Sequence, residues 1–454
     1  MRSGFKGVYL PQPHCGAHSI PQLPKGVNRF IRADFASNEK RDHGDVSAVM
    51  RSMEKPGSVA FFTIASRNYV SHYRAWRASV AKFHPEVPVF LVLVDEPFGT
   101  GEEVDDAEVL LAKDILGPAF DDMALRYDVL ELNTAVKAAS FRYIFEHHGV
   151  DRLVYFDPDI VLYSSVQRVL EPLERGASAV LTPHVLQPLM DGAHPDDLDL
   201  LRAGTFNLGF LGLAAGAETF AFLDWWAARL RFQCFSAITE GMFTDQRWCD
   251  LIPSLMPSFA ISRHPGANVA YWNLHQRPIT RSDEGEWHAG GHRLLFFHYS
   301  GFSVEDPRVV SRHQSRLGWD DLGEAQELFL AYKRELLENG WERTHSLPYA
   351  YGRLNGVPLS TPIRRLYGRR YPTGLAGEAI AALDIESLCT ARDTSVPQLR
   401  GTGVSALAAQ LFSMRPDIQA KFAVRTPWGR WGFHRWIKRH AAKEYKIPKQ
   451  LVAK

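Results

Sequence analysis

Residues 58–96 read SVAFFTIASRNYVSHYRAWRASVAKFHPEVPVFLVLVDE. Two short apolar runs flank a segment in which Tyr69, Tyr73, Trp76, Val80 and Phe83 recur at helical spacing. The pattern predicts strand, helix, strand. Apolar runs separated by helices imply a parallel sheet covered on both faces, and such sheets bind ligands beyond the carboxyl ends of their strands.

The same alternation continues outward. ELNTAVKAASFRYIFEHHG, residues 131–149, predicts a helix capped by Asn133 or Thr134 and ended by Gly149. RLVYFDPDIVLY, 152–163, follows directly. Beyond it lie ASAVLTPH (177–184), TFNLGFLGLAAG (205–216), a helix through ETFAFLDWWAARL (218–230), the turn-like EGMFTDQRWCD (240–250) and the strand RLLFFHYSG (293–301). DDLGEAQELFLAYKRELLENG, 320–340, reads as a long helix, and the chain from about 350 is mainly helical. The expected fold is α/β: a mostly parallel mixed sheet flanked by helices, followed by a mainly helical C-terminal region. Residues 1–57 read as an irregular N-terminal extension, 58–316 as the sheet domain and 317–454 as the helical region.

Asp157 and Asp159 interrupt an otherwise apolar run with only Pro158 between them. The spacing alone is weak evidence, because Asp197 and Asp199 in PDDLDL repeat it. Context separates the pairs. PDDLDL reads as a solvated helix start, whereas an unpaired charge at the end of a buried strand would cost several kcal/mol. Residues i and i+2 of a strand point the same way, so both carboxylates can converge on one hard divalent cation that bridges phosphates. A turn in which the two aspartates only cap backbone amides is the competing structural reading.

Composition bounds the rest. The chain has 454 residues, is 45% hydrophobic and carries a formal net charge of +1, so it is globular and not a polyanion binder as a whole. Cys15, Cys234, Cys249 and Cys389 lie far apart with no metal-type spacing, which excludes a zinc or disulfide scaffold and fits a reducing cytoplasm. No run has the length of a signal peptide or a membrane span. The one strong charge bias is the tail 421–454, with ten Lys or Arg against the single acid Glu444, interleaved with Trp428, Trp431, Phe433 and Trp436.

The order of segments resembles the nucleotide-sugar glycosyltransferases of the GT-A fold, especially the glycogenin and lipopolysaccharide galactosyltransferase group. Over residues 58–316, FFTIASRNYV with Asn68-Tyr69 is similar to the family's first strand and turn, Asp157-Pro158-Asp159 to its DxD, and Phe206-Asn207-Leu208-Gly209 to its FNxG strand. Thr244-Asp245-Gln246 is similar to its DQ pair, and His298-Tyr299-Ser300-Gly301 to its HYxG segment. The resemblance implies a Mn²⁺ or Mg²⁺ ion on Asp157, Asp159 and His298. It implies a nucleotide-sugar donor against Thr63, Ile64, Ser66, Asn68, Tyr69, Lys137, Asp157, Pro158, Gly209, Ser300 and Gly301, and Asn207, Asp245 and Gln246 beside the reacting sugar. A metal so held would act as a Lewis acid on the departing diphosphate.

The sequence also departs from the family. A lysine that grips the diphosphate after HYxG is missing from Gly301-Phe302-Ser303-Val304-Glu305-Asp306-Pro307, and Lys137, Arg308 or Arg312 could supply the charge. The change weakens the inference of stereochemistry. Retention by front-face attack, with Asp245-Gln246 orienting the sugar, is expected, while Asp245 as the base of an inverting enzyme is the alternative. Three other readings stay open: a haloacid-dehalogenase-type phosphatase using Asp157 and Asp159, a nucleotidyltransferase, and a sugar-nucleotide-binding protein with a decayed site. The expected acceptor is a saccharide or a lipid-linked saccharide of surface polysaccharide biosynthesis. The expected location is the cytoplasm, peripheral at the inner face of the membrane through an anionic lipid surface met by 421–454, with no nucleic-acid partner.

Overall fold

The computed structural model describes residues 58–97, 108–393 and 395–452; the N-terminal extension 1–57 lies outside them. A seven-stranded mixed sheet forms the centre. Its strands are β1 (Val59–Ala65), β2 (Val89–Leu93), β3 (Glu108–Leu111), β4 (Arg152–Phe156), β6 (Ala179–Pro183), β7 (Phe206–Ala214) and β8 (Phe259–Ile261), and β5 (Ile160–Leu162) lies outside it. The spatial order is β8-β6-β7-β4-β1-β2-β3. Only β7 runs against its neighbours; the β1–β2, β1–β4, β2–β3 and β6–β8 pairs are parallel.

The reversal of β7 matters for the site. An antiparallel strand brings its N-terminal residues to the edge where its parallel neighbours end. Phe206-Asn207-Leu208-Gly209 therefore lies beside the carboxyl end of β4, and the Asp157 amide donates to the Gly209 carbonyl at 2.8 Å. A ninth strand, β9 (Phe296–His298), pairs antiparallel with β5, setting His298 opposite Ile160.

Helices cover both faces, as the sequence predicts. Val70–Phe83 buries Tyr73, Trp76 and Val80, and Ala217–Leu230 buries Phe222, Trp226 and Leu230. Two local expectations need correction. The predicted helix near 131–149 is two helices, Val129–Ala135 and Lys137–His148, and its cap is Asp128, not Asn133 or Thr134. Asp128 accepts from the Glu131 amide while Glu131 returns the bond, a reciprocal pair that satisfies two amides otherwise orphaned. Asn133 and Thr134 instead bond carbonyls one turn back. Gly149 does end the second helix, in the left-handed conformation. The second correction is that Asp157-Pro158-Asp159 forms a turn between β4 and β5, so its carboxylates converge through the turn and not through strand pleating.

The C-terminal region is mainly helical, with its own apolar core around Ile363, Leu366, Tyr367, Leu407, Leu411, Phe412 and Phe433. It is tied to the sheet side by buried charge. Arg365 forms an ion pair with the fully buried Glu131, and Glu131 also accepts from the Ser236 amide at 2.8 Å. Arg364, also buried, donates to the carbonyls of Ala124, Leu125, Leu359 and Tyr351. Among the described residues no helix is long and apolar enough to cross a membrane.

Candidate functional site

Three ligand-type side chains meet where β4 ends. His298 Nε2 lies 3.1 Å from Asp159 Oδ1 and 3.6 Å from Asp157 Oδ2, and one donor atom from each residue falls within a 4.8 Å group. The chain places them by backbone bonds: the Tyr299 amide donates to the Asp159 carbonyl at 2.9 Å and the His298 amide to the Val269 carbonyl at 2.8 Å. Pro158 at the turn lacks an N–H and leaves no donor unpaired where strand pairing stops.

The imidazole is oriented from behind. His298 Nδ1 sits 3.2 Å from Asn207 Oδ1 and 3.3 Å from Asn268 Oδ1. Two acceptors on Nδ1 favour a proton there, and they fix the ring with Nε2 toward the carboxylates, the nitrogen that donates to Asp159 when protonated and is available to a cation when not. Asn268 donates through Nδ2 to Asn207 Oδ1 at 3.0 Å and to Thr182 Oγ1 at 2.8 Å. It does so from a positive φ of 52°, a conformation that asparagine tolerates better than most residues. Trp272 packs edge-on against the His298 ring, with centroids 5.2 Å apart. A glycine is required at 209, because a Cβ there would lie 2.4 Å from His298 Cε1.

The electrostatics divide the two aspartates. Burial pushes the Asp157 carboxyl above its ordinary range, only partly countered by Lys137 and His298. Burial also acts on Asp159, but His298 outweighs it and holds that carboxyl below the usual range. Burial pushes His298 toward neutrality, and Asp159 with Asp157 outweighs this, so the ring binds a proton more tightly than a free imidazole. Tyr155 donates its hydroxyl to Asp157 Oδ1 at 2.5 Å. Two carboxylates and one imidazole form a group that could hold a divalent cation, and side-chain surface of 30% and 20% on Asp157 and Asp159 leaves an approach from solvent.

Beside this cluster lies a second, fully buried one. Lys137 Nζ sits 2.6 Å from Asp245 Oδ2, donates to the Leu208 carbonyl at 3.0 Å and stands 4.0 Å over the Tyr155 ring. Burial opposes its charge, but Asp245 and Asp157 outweigh burial and hold the ammonium above its usual range. The Thr244 hydroxyl donates to Asp245 Oδ1 at 3.1 Å, so both carboxylate oxygens are engaged within the protein. Thr244 itself has a positive φ of 46°, a strained setting for a β-branched residue. Gln246 Oε1 accepts from the Leu208 amide at 3.0 Å and lies 3.4 Å from Asn207 Nδ2. His184 Nε2 also lies 3.4 Å from Asn207 Nδ2.

The structure thus joins Asp157, Asp159, His298, Asn207, Gly209, Lys137, Asp245 and Gln246 through direct contacts. The first-strand residues are neighbours of a looser kind. Thr63 and Ile64 are buried in β1 just beyond its Phe62–Tyr155 pairing with β4, and the Thr63 hydroxyl has no hydrogen-bond partner among the described residues. The Ser66 hydroxyl donates to Asn68 Oδ1 at 2.6 Å. Tyr69 is pushed up to about 12, by burial first and then by the charges of Asp159 and Asp157, with Arg312 working the other way. The Arg312 amide donates to the Gly301 carbonyl at 3.4 Å, which places this residue beside the turn that follows His298. Ser300-Gly301 follows His298, and Gly301 has a φ of 74° with Ser311 and His313 packed where a Cβ would project. Asn268, His184, Thr182, Trp272 and Tyr155 were not marked by any motif.

Solved structures similar to the chain include glycosyltransferases. They include the galactosyltransferase LgtC in complex with donor and acceptor sugar analogs, 14% identical, covering 61% of this chain and 95% of that one with a TM-score of 0.35. A glycosyltransferase involved in glycosylation of the major capsid of PBCV-1 is 7% identical, covering 60% and 99% with a TM-score of 0.33. No protein-family model matches. Two uncharacterized Bacillus subtilis proteins are similar: YfnF, 26% identical over 155 residues, 34% of this chain and 51% of its own, and YfnD, 23% identical over 279 residues, 57% and 81%. The chain spans about half the length of YfnF.

Proposed function

We propose that the chain is a divalent-metal-dependent glycosyltransferase that moves a sugar from a nucleotide-diphosphate sugar, with uridine as the base, to a saccharide or lipid-linked acceptor of surface polysaccharide. The observation that carries this reading is the convergence of Asp157, Asp159 and His298 at the carboxyl end of the central strand, with Asn207 and Gln246 alongside. Asp157, Asp159 and His298 would hold Mn²⁺ or Mg²⁺. When bound, the ion supplies Lewis-acid stabilisation of the charge that develops on the departing diphosphate.

The protein's own groups do the remaining work in this reading. Asn207 and Gln246, tied to each other and to the Leu208 amide, present fixed amide groups that orient the donor sugar. Lys137 balances Asp245 and lends its positive field to the donor side, and Arg312, whose amide bonds the Gly301 carbonyl, replaces the family's missing lysine as the phosphate contact. Retention is supported because Asp245 is buried and ion-paired with Lys137, which serves a base poorly. The turn at Asp157-Pro158-Asp159, beyond the strand carboxyl ends, is where open α/β sheets bind ligands.

The test is nucleotide release from a panel of nucleotide sugars with Mn²⁺, with Mg²⁺ and with chelator, alongside thermal melting in UDP. Metal-dependent turnover of at least one donor is expected, together with a metal-dependent rise in melting temperature that Asp159→Asn removes. Failure of every nucleotide to stabilise the protein with either metal would sink the proposal.

A further inference from the structure

Asp95 follows β2 at the carboxyl edge of the sheet and is buried. Its carboxylate gathers donors from distant parts of the chain. Oδ1 accepts from the Glu96 and Ala350 amides, each at 3.0 Å, and Oδ2 accepts from the Arg67 amide at 3.4 Å and lies 3.5 Å from Arg67 Nε. Arg67 reaches the same stretch directly, its Nη2 donating to the Pro348 carbonyl at 3.1 Å. Tyr351 adds an outer tie, donating its hydroxyl to Glu96 at 2.9 Å, and its carbonyl accepts at 2.7 Å from the buried Arg364 of the helix Thr361–Arg370. Arg67 opens the short turn Arg67–Tyr69, which the Tyr69 amide closes onto the Ser66 carbonyl at 2.9 Å. One carboxylate and one guanidinium thus bind residues 348–351 of the C-terminal region to the turn that follows β1.

The place of this grip decides what it can affect. β1 stands between β4 and β2, so the chain leaves β1 for β2 on the side away from β4. The crevice where open α/β sheets take ligands therefore lies between the ends of β4 and β1, with Asp95 one strand spacing, about 4.8 Å, further out. Asp157 and Asp159 mark the β4 side of that crevice. On the reading proposed above, the diphosphate sits there and the nucleoside extends over the turn after β1. We propose that Arg67 and Asp95 are positioning residues through which the C-terminal region shapes the nucleoside end of the donor site. Ser66, Asn68 and Tyr69 then have their binding geometry only while 348–351 is docked. A carboxylate bonded to three amides and an arginine is a rigid device, because neither the turn nor the segment can shift without stranding a buried charge. Asp95 lies two strands from the turn that carries Asp157 and Asp159, so the metal end should keep its geometry when the grip is lost.

The inference rests on the nucleotide-sugar reading, and its test separates the two. Calorimetry of the full chain with Mn²⁺ compares UDP, which spans both ends, with inorganic pyrophosphate, which fills the metal end alone. Arg67→Ala and Asp95→Asn should each weaken UDP binding about tenfold, the scale of one lost charge-assisted contact, and leave pyrophosphate binding within about twofold. In turnover the donor KM should rise about tenfold while kcat stays within about twofold. Arg67 is 22% exposed, so its variant carries the test even where Asp95→Asn does not fold. Parent-like UDP binding by Arg67→Ala overturns this inference alone. An equal loss of UDP and pyrophosphate binding also overturns it, because the whole site would then have loosened. Failure of the parent to bind UDP brings down the nucleotide reading and this inference with it.

Discussion

A Cβ on Gly209 would stand 2.4 Å from Cε1 and 2.6 Å from Nδ1 of His298. The strand backbone and the imidazole are therefore in contact, and no side chain fits between them. Gly209→Ala should force the ring away from Asp157 and Asp159 at a stability cost of about 1–3 kcal/mol. Metal titration followed by melting temperature is the readout. The variant should need at least tenfold more Mn²⁺ for half of the parent's shift, and parent-like titration would refute the crowding argument.

Lys137 and Asp245 form a fully buried pair 2.6 Å apart. Removing one partner strands the other charge in the interior, so Lys137→Met should destabilise the protein by about 3–5 kcal/mol. Lys137→Met combined with Asp245→Leu should recover part of that loss, because no unpaired charge is left. Denaturant midpoints of the two singles and the double give the coupling energy, and strict additivity would show that the pair does not interact.

His184 is buried as a neutral ring, pushed down to about 4 mainly by burial, with the Thr205 carbonyl working the other way. In the unfolded chain the same ring takes a proton near 6.5. The unfolded state thus binds more protons between these values, and stability is full above pH 6.5 and falls as pH drops toward 4. The slope from this one group is about 1.4 kcal/mol per pH unit. His184→Gln should flatten the curve of melting temperature against pH over that window by this amount; a variant curve parallel to the parent's contradicts the assignment.

Arg312 and Arg308 are both exposed, and the Arg312 amide is tied to the Gly301 carbonyl beside the site. If Arg312 takes the phosphate role in the proposed reaction, Arg312→Gln should raise the donor KM about tenfold, the scale of one charge-assisted contact. Arg308→Gln should leave the KM alone. Equal KM values for both variants would remove Arg312 from the donor site.

Much of the fold was legible because strand and helix periods differ and β1, β4 and β7 are nearly pure apolar runs. The grouping of Asp157, Asp159 and His298 was legible because each ends or follows such a run. What stayed hidden depends on distant partners. Nothing near Asn268 in GANVAYWN says that its amide reaches Asn207 and Thr182, and nothing near Lys137 says that it meets Asp245. The Asp128 cap is a different kind of miss. DVLE carries the capping-box spacing, but the apolar pattern that begins at Leu132 drew the boundary too late. Asp157 and Asp159 converge because Pro158 turns the chain between two strands, and not because a strand pleat points them the same way.

Glu131 deserves a last consequence. It caps its own helix, holds the Ser236 amide and pairs with Arg365, so one buried carboxylate links the sheet side to the helical C-terminal region. Cutting the chain before residue 350 would remove Arg364 and Arg365 together, leaving Glu131 without its cation and Leu125 stripped of its apolar cover. The two halves should therefore melt in a single cooperative transition, and the sheet half expressed alone should be aggregation-prone rather than independently foldable.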